Sequence, residues 1–141
     1  MAAMSPEPNL GSRPLSPHLQ VWRWHVTMLT SILNRMTSVG LAAGTLGIVL
    51  WVMALAGGPA KFETMEMIVI SLPGQVILFL LAVAAAFHFA AGVRHLVWDA
   101  GRGLQPRASE ISAWVAMVFA VVAPIGLWAL AGLHAGGVVG R

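Results

Sequence analysis

The chain has 141 residues, 58% of them hydrophobic and only 9% charged. Ordinary soluble domains are about 45–50% apolar and about 25% charged, so the composition excludes one and indicates a single membrane-embedded unit. The formal charge of +3 is no nucleic-acid signature, because the eight Lys and Arg cluster at the ends of apolar runs; cysteine is absent, which excludes disulfides and thiolate metal ligands.

Residues 1–12 form a polar tail with two prolines. The tail has neither the basic-then-apolar pattern of a secretory signal nor an arginine, so neither a cleaved signal nor a transit peptide is expected. Residues 13–141 then read as one all-α domain with three uncharged runs: 36–60 between Arg35 and Lys61, 67–93 between Glu66 and Arg94, and 111–140 between Glu110 and Arg141. A spanning helix needs about 20 apolar residues, and the runs show no period-2 alternation, so three transmembrane helices are predicted rather than a barrel.

Gly57-Gly58-Pro59 should stop the first span. Pro73-Gly74 predicts a late start or a kink in the second, and Pro124 a kink in the third. Residues 102–106 separate spans two and three, with Ser109-x-x-Ser112 as a candidate cap for the third helix. Gly40, Gly44 and Gly47 form a small-residue face suited to helix packing. Arg13, Arg23 and Arg35 precede the first span, and Arg94, Arg102 and Arg107 lie between the second and third. The opposite side has only Lys61 and Arg141, so the N-terminus is expected inside and the C-terminus outside. Trp22, Trp24, Trp98 and Trp114 fit an inner aromatic belt and Trp51 an outer one, whereas Trp128 is deep enough to pack between helices.

Polar residues within spans are costly and mark functional sites. In the first span Ser31 and Arg35 are one turn apart on one face. A lipid-soluble quinone needs an apolar slot with one or two polar groups for its carbonyl oxygens. Ser31 can donate to one, and Arg35 can stabilise the anion that forms on reduction. The same residues also suit a snorkelling arginine and a serine bonded back to its own helix.

In the second span His88, Gly92, His95 and Asp99 follow at intervals of four, three and four and share a helix face. His88 lies six residues inside Arg94, about 9 Å along the axis. A neutral imidazole at that depth is a good axial ligand for haem iron, and Gly92 leaves room for a flat macrocycle. Arg94 and His95 lie nearer the interface, where propionates want donors. A histidine bonded to a neighbouring helix beside a packing glycine reads the same residues equally well. His18 and His25 lie near the inner surface and His134 towards the outer end, so a six-coordinate haem requires its second ligand from another subunit.

Together the two stretches resemble the cytochrome b membrane-anchor subunit of succinate dehydrogenase, the larger of its two anchors. The first pattern reads Arg13, Pro14, Ser31, Asn34, Arg35 and Thr37. The second reads His88, Gly92, Val93, Arg94, His95, Leu96, Trp98 and Asp99. The resemblance covers roughly residues 13–133 and implies an anchor that binds haem b and a quinone, ubiquinone in the first instance. It implies three partner subunits: a flavoprotein that oxidises succinate, an iron–sulfur protein, and a second small anchor. His88 would be one axial ligand to the haem iron, with a histidine of the second anchor as the other. Ser31 and Arg35 would belong to the quinone site, and Arg94 and His95 to the propionate region. Asn34 stands where many members have histidine, and an amide cannot become cationic. The chain has no tyrosine, so a phenolic donor to the quinone must come from a partner. It is expected to carry no catalytic residue of its own and to be inactive alone. His25, His95 and Asp99 are candidate proton relays. The bacterial cytoplasmic membrane is the expected location, ahead of the mitochondrial inner membrane. Rival readings are the anchor of a fumarate reductase-type complex and a non-redox three-span scaffold or small transporter.

Overall fold

The computed structural model describes residues 21–139, and side chains as far as residue 132. The tail 1–12, Arg13, Pro14, His18, the side chain of His134 and Arg141 lie outside the described residues. Four helices follow in order: α1 (Val26–Ala56), α2 (Pro59–Ile70), α3 (Leu72–Asp99) and α4 (Pro106–Val139). Three are long and apolar enough to cross a bilayer, namely α1, α3 and the Pro106–Gly132 part of α4. The described residues contain no strand, so the expected all-α, three-span architecture is the one found.

The helix boundaries differ from the uncharged runs. Helix α1 begins at Val26, ten residues before the first run, and so carries Arg35 within it. Charge limits where a helix sits in a bilayer, not where its backbone hydrogen bonds begin, and residues 26–34 are uncharged. At the other end the chain stops as expected. The Gly57 N–H bonds back to Met53 O at 3.0 Å, Gly58 adopts φ 94, and Pro59 opens the next helix.

Helix α2 adds an element to the three predicted spans. Lys61, Glu63 and Glu66, which separate the first two apolar runs, lie on this 12-residue helix. The break before α3 is made by Ser71, whose backbone is extended at φ −61, ψ 153. Its hydroxyl donates to Ile68 O at 2.6 Å and accepts from Gly74 N at 3.3 Å, which closes one helix and caps the next. Pro73 in the first turn has no N–H to leave unpaired. A side chain at Gly74 would collide with the carbonyl oxygens of Ile68 and Val69. The late start expected at Pro73-Gly74 is therefore a corner between two helices.

Ser109 and Ser112 do not cap the third span. Helix α4 starts at Pro106, so both serines lie inside it and face inward for another purpose. The preceding turn uses Gly101 and Gly103, both at φ 70. Helix α4 then runs through Pro124.

The core is small and built from alanine. Ala113, Ala116 and Ala120 recur at helical spacing on α4 and are buried, as are Phe87 and Ala91 of α3. Leu33 of α1 and Met117 border this cluster. Small residues let backbones approach closely where lipid supplies no hydrophobic drive between helices. Of the three α1 glycines only Gly44 meets a neighbour, since a methyl there would lie 2.9 Å from Leu81 Cδ2. Trp128 packs edge-on against Phe79 of α3 at 5.6 Å, as expected of a tryptophan between helices. Little else is covered: the most apolar window of α1 has no buried residue, and those of α3 and α4 are 17% buried.

Candidate functional site

Arg94 organises one end of the bundle. Its Nε donates to Ser112 Oγ at 2.9 Å and one terminal nitrogen donates to Thr30 Oγ1 at 3.3 Å. The other donates to both the carbonyl and the hydroxyl of Ser109, each at 2.9 Å. The guanidinium also sits 4.1 Å from the centre of the Trp98 ring, a cation–π contact. One side chain of α3 thus ties α1 and α4 together, and a partly buried charge is held by donors spread in a fixed fork. Thr30 is the one buried polar residue among those described, and it passes the contact on by donating to Thr27 O at 3.0 Å. Thr30, Ser109 and Ser112 escaped the sequence reading as partners of Arg94. The serines were visible as a spaced pair, but spacing alone does not say what they face.

Beside this tie, α1 and α3 enclose a polar cavity of about 240 Å³. Thr27, Ser31 and Asn34 line it from α1, and Arg94, His95 and Trp98 from α3. The two motifs, some 60 residues apart in sequence, therefore converge on one space. Asn34 Oδ1 is buried without a hydrogen-bond partner among the described residues. Thr30, Thr37, Ser38 and Thr45 bond back to carbonyls of their own helix. Ser31 makes no such bond, so its hydroxyl stays available. Arg35 is exposed, one turn beyond Ser31, and does not line the cavity.

The two α3 histidines differ in kind. His95 Nδ1 contacts Ala91 O at 2.7 Å, and because a carbonyl can only accept, that nitrogen carries a proton. The ring lies edge-on to Trp98 at 5.2 Å. His88 is half-buried, and its Nδ1 is enclosed with no partner among the described residues. Such a group calls for a partner beyond the described residues. Gly92, one turn on, is exposed, and a Cβ there would meet nothing within 4 Å. Its smallness answers no need of this chain's own packing. Asp99 ends α3 and His25 precedes α1, both exposed.

Comparison with known proteins decides what kind of chain carries this arrangement. Residues 9–127 match the family described as succinate dehydrogenase/fumarate reductase transmembrane subunit. The chain belongs to that family. It is 40% identical over 114 residues to the succinate dehydrogenase cytochrome b556 subunit of Paracoccus denitrificans, covering 81% of this chain and 88% of the relative. It is 36% identical over 128 residues to the mitochondrial succinate dehydrogenase cytochrome b560 subunit of Homo sapiens, covering 86% and 74%. The cytochrome b556 subunit of Rickettsia typhi is 31% identical over 116 residues, covering 82% and 90%. The family matches the resemblance carried by the two motifs, and the chain is a cytochrome b-type membrane subunit of succinate dehydrogenase.

Proposed function

We propose that this subunit anchors a succinate:quinone oxidoreductase in the membrane, holds haem b jointly with a second small anchor, and contributes one wall of the quinone-reduction site. The observation that carries this reading is His88: an intramembrane imidazole whose enclosed Nδ1 has no partner, on a helix face left open by Gly92. The donor set fits a b-type haem: His88 would hold the iron from this chain, and the other anchor would supply a second ligand. Bound there, haem b supplies a one-electron carrier. Arg94 and His95 lie one to two turns towards the loop and would serve the propionate region, Arg94 chiefly through its charge, since its nitrogens already serve Thr30, Ser109 and Ser112.

The polar cavity supports the quinone assignment. Ser31 offers a free hydroxyl as donor, and the Asn34 amide can donate through its nitrogen while its oxygen awaits a donor. Arg35 flanks this wall as an exposed cation one turn away, placed to stabilise negative charge on the quinone oxygens as two electrons and two protons convert quinone to quinol. The electrons originate in succinate, oxidised by the flavoprotein, and arrive through the iron–sulfur subunit. The N-terminus and the arginine-bearing loop face the cytoplasm in this reading, where His25, His95 and Asp99 offer proton relays. The reading keeps a bacterial cytoplasmic membrane ahead of the mitochondrial inner membrane, the relatives including both bacterial and mitochondrial subunits.

Two substitutions test this in the intact complex. His88→Ala should abolish or shift the b-type haem absorbance while the flavoprotein still oxidises succinate with an artificial acceptor; an unchanged spectrum sinks the ligand assignment. Arg35→Ala should depress quinone reduction well below artificial-acceptor activity, and equal losses would signify misassembly instead.

A further inference from the structure

A second cavity lies on the other side of Arg94, between α3 and α4, with a volume of about 610 Å³. Phe89, Val93 and Val97 line it from α3, and Val115 and Phe119 from α4. Phe89 and Phe119 approach to 6.3 Å between ring centres at its deep end. At the other end are Trp98, Gly103 and Ala108. The ten residues from Phe89 to Trp98 span about 14 Å, close to the ~15 Å of hydrocarbon in one leaflet.

The chemistry at the shallow end is cationic. Arg102 and Arg107 each adjoin a lining residue, Gly103 and Ala108, and neither side chain has a hydrogen-bond or ion-pair partner among the described residues. Arg94 adds a third positive charge, against the exposed carboxylates of Asp99 and Glu110, so this end is net positive. The first turn of α4 begins here, and its free backbone N–H groups point the positive end of the helix dipole the same way. An apolar groove about one leaflet long, with two unpaired arginines next in sequence to residues at its shallow end, is complementary to a lipid with one chain along the groove and a phosphate at the rim.

We propose that the α3–α4 groove binds an acyl chain of an anionic phospholipid, with its phosphate held by Arg102 and Arg107. The two cavities share Arg94 and Trp98, but the phosphate assignment rests on Arg102 and Arg107, which the haem and quinone readings do not use.

The test uses the complete complex, stripped of lipid in detergent and titrated with phosphatidylglycerol or phosphatidylcholine, with bound lipid counted by native mass spectrometry. Wild type should retain phosphatidylglycerol in preference to phosphatidylcholine. Each arginine is expected to contribute about five-fold, so Arg102→Gln with Arg107→Gln should weaken phosphatidylglycerol retention roughly 30-fold and leave phosphatidylcholine unchanged. Val115→Trp, which fills the groove from an exposed position, should displace the lipid whatever its headgroup. Equal retention of the two lipids by wild type, or an unaltered preference in the double arginine variant, overturns the proposal. So does a Val115→Trp complex that loses a subunit, since that places a partner helix in the groove.

Discussion

Arg94 shows how a cation is accommodated at the edge of a membrane span: four oxygen contacts from three residues on two other helices, plus an indole face. Polar contacts between membrane helices average about 0.6 kcal/mol and reach about 1.7 kcal/mol. Ser112→Ala should therefore lower stability by roughly 0.5–1.5 kcal/mol. Arg94→Lys should lower it further, because an ammonium point charge cannot reach partners on both sides at once. Thermal unfolding of the complex checks both, and an Arg94→Lys midpoint equal to wild type would show that the fork geometry is irrelevant. The spacing of His88, Gly92 and His95 placed them on one face from sequence alone. That one imidazole folds onto its own helix and the other does not was illegible there, because ring orientation depends on local rotamers and neighbours. Asn34 and Ser31 were legible as motif positions. Their meeting with His95 and Trp98 was not, because it requires knowing how α1 and α3 pack.

Helices α2 and α3 meet at a corner that depends on Ser71, Pro73 and Gly74 acting together. Gly74→Ala should destabilise the complex by about 1–3 kcal/mol, the range for forcing extra atoms into a filled space; a midpoint unchanged in thermal unfolding would mean the corner opens freely. Gly44→Val should behave likewise, because its first added carbon already lies 2.9 Å from Leu81 Cδ2. Gly47→Ala should be silent, having open space around it. Sequence pattern marks Gly44 and Gly47 equally, since spacing identifies a face and not the helix that covers it. The same reasoning explains the missed α2. Its charges interrupt the apolar run and so bound the spans, yet Lys, Glu and Met are good helix formers and the helix needs no bilayer to form.

The molecule leaves most of its lateral surface open, with no buried residue in the α1 window. Such a chain is one part of a larger bundle, with lipid and neighbouring subunits as its remaining packing partners. Its predicted orientation has a direct test, because the chain lacks cysteine. Leu104→Cys should be labelled by a membrane-impermeant thiol reagent only from the cytoplasmic face, and Lys61→Cys only from the opposite face; the reverse pattern would invert the topology. The sequence by itself determined the class: three apolar runs, their bounding charges and two spaced motifs suffice, because hydropathy and helical periodicity are local properties read one segment at a time. Tertiary structure alone decided that Ser109 and Ser112 hold Arg94, that the motifs share a cavity, and that His88 is left unpartnered. Those facts depend on which helix faces which, set by alanine and glycine contacts between segments far apart in the chain.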